Sequence, residues 1–336
     1  MAKTGVNFEY LQCSYESWYN RFKGDVHDSS IVHVPANVLS YLLSDVMVLP
    51  KNCSITRQRK EIPACYDAEE ELEEPEFPDF NEKLKEAIQG LGGKVFVKLN
   101  WSAPKDASWI TSTRSLCCSD PADIYLLLKS SSYISDDLSV LKEVSETSGD
   151  VPCCLVLKKW IEIHPGTEYR CFVVDKNLVG VCQRDTTSYF KYIGDNKDSI
   201  LELIINYFQD HIKPKFPLNN YTFDIILALG MKINLVDFGL LNKNTDCLLF
   251  SWKELKKRKC GTSTKTPLST EKEHSPCDRN QISSCCKPEF RYIDEFTNVP
   301  RNQCKHYGIP MDVMHFCSGE KNVADYIQEE ILNNSL

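Results

Sequence analysis

The segment EFPDFNEKLKEAIQGLGGKVFVKLNWSAPKDASWI (residues 76–110) joins a helical pattern directly to a strand pattern. Asp79 and Glu82 have the spacing of a capping box at a helix start. The apolar residues that follow fall on one helical face: Phe80, Leu84, Ala87, Ile88 and Leu91. The glycines at 92–93 end the helix, and KVFVKL (94–99) is typical of a strand. The segment therefore indicates a fold that mixes helices with strands.

The middle of the chain is rich in strand patterns. CLVLKKW (154–160) is one strand, and YRCFVV (169–174) with LVGVCQ (178–183) predicts a hairpin. YTFDIILAL (221–229) and MKINLVDF (231–238) are separated by one glycine, which predicts a second hairpin. These segments predict a strand-rich core.

Helix signals surround this core. The Asp-Pro pair at 120–121 is typical of a capped helix start, and Ser199 with Glu202 has capping-box spacing. Residues 135–152 are predicted to be a loop, and residues 321–332 to form a last helix.

Composition excludes several classes of protein. The 336-residue chain has a net charge of −8, which does not favour nucleic-acid binding through a broad basic face. Its N-terminus lacks the apolar stretch of a signal peptide. No apolar run approaches the roughly 20 residues that a membrane span needs. We therefore expect a cytoplasmic protein that contacts neither membranes nor nucleic acid directly.

The chain contains 16 cysteines. Three adjacent pairs occur, but no two cysteines have the CxxC spacing that is typical of structural zinc sites. Without a secretory signal, disulfides are not expected either. The pattern therefore predicts reduced thiols.

Charged residues interrupt the apolar strands. Asp224 lies in FDII and Asp237 in LVDF, although strands disfavour aspartate. If the hairpin has a simple register, these two carboxylates lie near the same end of the two paired strands. A single lysine on a strand is most often exposed to solvent. Here, however, several cationic residues lie on the other predicted strands: Lys98, Lys158, Lys159, Arg170 and Arg184. Because phosphates attract cations and Mg²⁺ prefers carboxylate oxygens, the combination is a candidate nucleotide and metal site.

Two other enzyme classes fit the sequence poorly. VDFG (236–239), Lys98 and QRD (183–185) resemble parts of a protein kinase, but the asparagine expected five positions after the QRD aspartate is Phe190. No GxGxxG loop precedes Lys98. A hydrolase is not supported either, because no GxSxG elbow occurs and His164 lies in a Pro-Gly turn.

The loop KLNWSAPKDA (98–107) is a distinctive combination of residues. Further distinctive segments lie along the chain: ESWYNRF (16–22), LVLKKW (155–160), PGTEYRCFV (165–173), CQRD (182–185), FDI (223–225), VDF (236–238), TDCLLFSWKEL (245–255) and SGEKNVADYI (318–327). Together they resemble the cell division cycle protein 123 family over nearly the whole chain, apart from residues 51–70 and 256–290.

The resemblance implies an α+β, ATP-grasp-like fold with two lobes and a nucleotide site in the cleft between them. It implies binding of ATP and Mg²⁺, assembly of eukaryotic translation initiation factor 2 through its gamma subunit, and a link to the cell division cycle. Asp224 and Asp237 would hold Mg²⁺, and no catalytic residue is assigned. The residues that would contact ATP are Lys98, Asn100, Ala103, Asp106, Lys158, Lys159, Trp160, Ile161, Glu168, Arg170 and Gln183.

One departure from the family pattern affects the metal site. The family has DFNP, whose asparagine is a metal ligand, whereas this chain has DFGL (237–240). Gly239 offers no side-chain oxygen, so we expect weakened Mg²⁺ binding, with water in place of the missing ligand. Lys105 and Lys158 also stand where the family often has arginine, and lysine lacks its bidentate fork.

The expected organisation has five parts: an N-terminal aromatic segment that begins the first lobe (1–50), an acidic linker (51–76), an ATP-grasp-like core (77–255), a disordered insertion (256–290) and a C-terminal partner-binding tail with a helix (291–336). The aromatic cluster of residues 1–50 is expected to have a core role, and the N-terminal aromatic segment and the tail are expected to form the partner surface.

The leading hypothesis is an ATP-binding chaperone for assembly of translation initiation factor 2. An ATP-grasp carboxylate–amine ligase is the first alternative, and Gly239 counts against it because such chemistry needs a full metal shell. The second alternative is an interaction scaffold with a degenerate ATP site. Nucleotide binding and ATP turnover distinguish the three hypotheses.

Overall fold

Helices and strands follow one another along the computed structural model, which describes residues 2–45, 47–53, 74–111, 113–149, 151–228, 232–257 and 287–295. The helices are α1 (Ala2–Cys13), α2 (Tyr15–Tyr19), α3 (Ala36–Leu43), α4 (Pro78–Gly90), α5 (Pro121–Ser130), α6 (Ser132–Ser148), α7 (Lys191–Asp195), α8 (Lys197–Tyr207) and α9 (Trp252–Lys257). The strands are β1 (Ser29–His33), β2 (Val95–Lys98), β3 (Cys117–Cys118), β4 (Cys154–Lys159), β5 (Glu168–Val174), β6 (Asn177–Gln183), β7 (Tyr221–Ala228), β8 (Lys232–Leu240) and β9 (Glu289–Arg291).

The first sheet has the order β1-β4-β2-β3, with antiparallel neighbours throughout. Its core is formed with residues of α3, α4, α5 and α6, including Leu84, Tyr125 and Ile134. Phe96 pairs with Lys158 and Lys98 pairs with Val156. Because side chains two positions apart on a strand share a face, Lys98 and Lys158 emerge from the same face of this sheet.

The second sheet has the order β8-β7-β5-β6-β9. All its pairs are antiparallel except β6 with β9, which is parallel. One face packs against α8 through residues such as Ile204 and Phe223. The other face carries Phe172 and Cys182, which pack against Phe250. Each sheet therefore has a core of its own.

The aromatic residues of the N-terminal segment are core residues. Tyr15, Trp18 and Phe22 are completely buried. The ring of Phe238, on β8, lies 5.2 Å from that of Trp18 and 5.1 Å from that of Phe22. The expected core role is therefore confirmed for these three residues, while Phe8 is half exposed and a partner surface on this segment stays a prediction.

Several sequence predictions are confirmed. Both hairpins form, as β5 with β6 and β7 with β8. Asp120 caps α5, since its carboxylate accepts a hydrogen bond from the Ala122 amide at 2.9 Å. The apolar face of α4 is buried through Phe80, Leu84 and Ile88.

Other local predictions are wrong. The predicted loop 135–152 is occupied mostly by α6, which buries Ile134, Leu138, Leu141 and Val144 at helical spacing. Neither predicted capping box forms, because α4 begins at Pro78 and α8 at Lys197, in each case without a side-chain cap.

The boundaries of the five expected parts fall partly outside the described residues. Most of the linker, most of the insertion, the turn at Gly230 and the helix predicted at 321–332 lie there. Within the described residues, β1 of the N-terminal segment belongs to the first sheet, and β9, at the end of the expected insertion, belongs to the second. No helix in the described part of the chain combines the length and apolar character of a membrane span.

Candidate nucleotide site between the two sheets

Two lysines of the first sheet reach across to β8 of the second. Lys98, which is 2% exposed, forms an ion pair with the Asp237 carboxylate. Lys158 donates a hydrogen bond to the Val236 carbonyl oxygen at 2.6 Å. The cleft between the sheets is therefore bridged at this point by cations from β2 and β4.

A β-bulge positions the acceptors of these two lysines. Asp224 pairs with Asp237, but the next pair is Ile225 with Leu235, so Val236 is an extra residue on β8. Such bulges re-aim side chains, and they are frequent beside active sites. The expectation that Asp224 and Asp237 lie at matching positions is confirmed.

Asp224 is held by arginines. Arg170 binds it in a bidentate manner, with Nε to Oδ1 and Nη2 to Oδ2 both at 2.8 Å. The Nε atom of Arg184 lies 3.5 Å from Asp224 Oδ2 and 3.8 Å from Glu168 Oε2. Although burial disfavours the charged carboxylate, Arg170 and Arg184 hold the pKa of Asp224 well below its usual range.

The positive charges of Lys158 and Lys105 are only partly balanced by neighbouring carboxylates. Burial lowers the pKa of the Lys158 ammonium to about 7, although Asp237 opposes the shift. The Arg184 cation and then burial lower the pKa of Lys105 to about 8. Glu168, Asp224 and Asp237 lie among the cations of this cluster, and Asp246 and Asp137 add negative charge near Arg170 and Lys98. The pKa values of Lys105 and Lys158 are nevertheless depressed, so a bound polyanion would relieve unfavourable charge.

Tyr15 connects the N-terminal segment to this site. The Nζ atom of Lys158 lies 4.5 Å from the centre of its ring, and that of Lys98 lies 5.4 Å away. Its hydroxyl lies within hydrogen-bond distance of Ser29 Oγ, at 3.0 Å. Since an aromatic face attracts cations, the ring helps to position both lysines.

Three of the proposed ATP contacts have their polar atoms engaged elsewhere. The Asn100 amide donates to the Pro152 carbonyl at 3.0 Å and accepts from the Cys154 amide at 2.9 Å. Asp106 accepts hydrogen bonds from Ser131 and Ser132 at the start of α6.

The third is Gln183, which is completely buried. Its amide donates to the Asp185 and Ser188 carbonyls and accepts from the Ile293 amide at 3.2 Å. Gln183 pairs with Tyr169, next to the pair of Arg170 with Cys182, so it points to the opposite face of the sheet from Arg170. In this conformation it supports a loop and does not face the charged cluster.

Three of the implied ATP contacts, Lys159, Trp160 and Ile161, lie where the chain passes from one sheet to the other. Lys159 ends β4 on the face opposite Lys158 and is exposed. Trp160 and Ile161 follow, before β5 begins at Glu168, and the Trp160 amide donates to the Lys94 carbonyl at 3.0 Å. Ala103 is half-buried in the loop after β2.

The proposed set omitted three residues that the fold brings into the cluster. Arg184 and Lys105 carry charges beside Glu168 and Asp224, and Tyr15 contacts both lysines of the first sheet. Arg184, directly after β6, was already among the candidate cations of the sequence, although not among the ATP contacts that the resemblance implies. No sequence spacing connects Tyr15 to residues more than 80 positions away.

The position of Gly239 is crowded. It pairs with Thr222 on β7, and a Cβ atom built there would lie 2.7 Å from Thr222 Oγ1. Thr222 is 1% exposed. The space next to the backbone of residue 239 is therefore already occupied by a hydroxyl group.

Comparisons with known proteins identify the family. The D123 family model matches residues 18–317. The chain belongs to the D123 family. A translation initiation factor eIF2 assembly protein of Xenopus laevis is 36% identical, with 93% of this chain and 92% of that relative covered. A protein of the same name from Dictyostelium discoideum is 31% identical, with 94% of each chain covered.

A solved structure of a family member has the same fold. Cdc123 from Schizosaccharomyces pombe is 32% identical, with a TM-score of 0.61 over 75% of this chain and 92% of that chain. The predicted α+β fold with two separate sheets is confirmed, and the chain shares its fold with that structure.

The low pKa of Lys158 has a measurable consequence for stability. Burial disfavours the protonated form of Lys158 in the folded state. The resulting loss of folding free energy is at its full value below pH 7 and decreases as the pH rises towards 10. Lys158→Met should therefore raise the free energy of unfolding by about 1–4 kcal/mol at pH 6, with a smaller gain at pH 9. Urea unfolding at both pH values measures the difference.

The neighbouring exposed Lys159 provides the matched control, since Lys159→Met should leave the free energy of unfolding nearly unchanged at both pH values. The assignment of a low pKa to Lys158 would be contradicted if Lys158→Met gained less free energy of unfolding over the natural protein at pH 6 than at pH 9.

Proposed function

We propose that the protein is an ATP-binding chaperone that assembles translation initiation factor 2 in the cytoplasm by binding its gamma subunit. The names of its relatives support a role in assembly of this factor. ATP binding rests on one observation, the two lysines between the sheets, Lys105 and Lys158, whose charges the neighbouring carboxylates leave incompletely balanced.

The charged cluster fits a nucleotide with Mg²⁺. Lys158 and Lys105 have depressed pKa values and would gain a compensating charge from the phosphates. Lys98 would transfer from Asp237 to a phosphate oxygen, which would free that carboxylate for Mg²⁺. Asp224 is already bound by Arg170 on both oxygens, so it would share its remaining lone pairs with the ion.

The chain segment between β4 and β5 would receive the adenine. Residues 159–161 lie where the chain crosses from one sheet to the other, beside the end of β4 that carries Lys158. ATP bound there would contact both sheets and hold them together. We assign no catalytic residue, because Gly239 leaves the metal shell one protein ligand short.

The first prediction concerns the metal. Asp237→Asn should weaken Mg²⁺-dependent ATP binding by at least about tenfold, because it removes the carboxylate that the ion needs. Isothermal titration calorimetry of ATP with and without Mg²⁺ measures this. Asp198→Asn is the control, since that side chain is 87% exposed. Equal affinities in both variants would show that the metal is held elsewhere.

A second prediction concerns Gly239. The sequence alone predicts that Gly239→Asn tightens Mg-ATP binding by restoring a ligand. Because the new Cβ would lie 2.7 Å from Thr222 Oγ1, the single variant should instead lose stability. The double variant Thr222→Ala, Gly239→Asn should bind Mg-ATP severalfold more tightly than Thr222→Ala alone. No difference between these two would indicate a more deeply reorganised metal site.

A third prediction separates the chaperone from its alternatives. The protein should bind isolated gamma subunit and increase the yield of the three-subunit factor in a reconstitution, and Asp237→Asn should reduce that yield. Undiminished assembly by Asp237→Asn, with no ATP binding by the natural protein, would favour the scaffold. Stoichiometric release of ADP with a ligated product would favour the carboxylate–amine ligase.

A further inference from the structure

Three side chains with metal-binding atoms meet at the end of β4 that is remote from Lys158. Glu16 Oε1 lies 2.8 Å from His33 Nε2, and Glu16 Oε2 lies 2.9 Å from Cys154 Sγ. The ligand atoms all lie within 4.8 Å of one another. The three residues come from α2, β1 and β4, and His33 pairs directly with Cys154 across the first sheet.

The chemistry of this donor set selects a borderline-soft cation. Thiolate, imidazole and carboxylate are the three ligand types that zinc uses in proteins, and an open zinc site has three protein ligands with water in the fourth position. Thiolate disfavours Mg²⁺ and Ca²⁺, which prefer oxygen. Phosphate is not expected to bind here, because the Glu16 carboxylate and the Cys154 thiolate would both repel it when deprotonated.

Accessibility matches an open site. The Cys154 side chain is fully buried, whereas the side chain of His33 is 61% exposed and that of Glu16 is 36% exposed. A metal ion could therefore enter from the solvent side and retain a water molecule there. The buried sulfur would form the inner end of the site.

We propose that Glu16, His33 and Cys154 bind one zinc ion. Coordination would replace the two hydrogen bonds to Glu16, and the thiol proton of Cys154 would pass to solvent. The residues are separated by 17 and 121 positions, so the site has none of the close cysteine spacing by which zinc motifs are found in sequences.

Zinc at this position would fix α2 against the first sheet. Glu16 directly follows Tyr15, whose ring lies 4.5 Å from the Nζ atom of Lys158. The ion would thus restrain the helix that positions the lysines of the cleft, without touching the cleft itself. Because the ion binds the folded chain, it would also raise the midpoint of thermal unfolding.

Cobalt and zinc titrations of the full-length protein test the proposal. With Co²⁺ as the probe, the natural protein should show a thiolate-to-metal charge-transfer band, and Zn²⁺ alone should abolish it by displacement. His33→Ala should weaken metal binding by at least about tenfold, and Cys154→Ser should remove the band. His33 is on the surface, so its variant should fold even if Cys154→Ser does not.

Matched controls separate this site from the other thiols. Cys117→Ser removes a half-buried thiol from β3, and His164→Ala removes an exposed imidazole, so both should keep the band and the affinity of the natural protein. A natural protein without the band overturns the proposal. So does metal binding that His33→Ala leaves unchanged, because the ion then lies at other cysteines.

Discussion

Lys98 and Asp237 form a largely buried ion pair that joins the two sheets across the cleft. Each sheet has its own main core, but Val156 of β4 belongs to the core of the second sheet, so apolar packing and the groups that cross the cleft together set the relative position of the sheets. The lysine side chain of this ion pair is 3% exposed and that of the aspartate 23%, which makes both charges costly without a partner. The pair therefore joins the two sheets, and in the proposed function its lysine would bind a competing anion.

The short helix α2 reinforces this contact from the N-terminal side. A helix of five residues is not stable by itself, and it persists here because Tyr15 and Trp18 are buried. Trp18 packs on Phe238, the neighbour of Asp237, while Tyr15 lies over Lys158. The same helix thus supports the carboxylate side and the lysine side of the cleft.

The sequence predicted the elements whose patterns are local. The hairpins alternate regularly, and the buried aspartates were conspicuous because strands disfavour that residue. Helix α6 was missed because serine and acidic residues surround its apolar positions. The role of Asp137 on this helix, which accepts hydrogen bonds from Ser102 and the Trp101 amide, was missed for the same reason. Its apolar residues nevertheless have helical spacing, so the signal was present.

The site was only partly predictable for a different reason. Lys98, Lys158, Arg170 and the two aspartates share an identifiable chemistry, and the fold brings them together. Asn100, Asp106 and Gln183 were assigned through the family resemblance, yet their hydrogen bonds hold loops and helix ends. Which partner satisfies a buried amide or carboxylate depends on tertiary contacts that no local pattern contains.

The anchoring of β9 has a practical consequence for engineering. Arg291 donates to the Leu249 carbonyl at 2.8 Å and contacts Glu254 at 3.2 Å, while β9 pairs with β6. A truncation made before residue 287 would therefore remove a strand of the second sheet and take the Arg291 cation away from the Leu249 carbonyl and the Glu254 carboxylate.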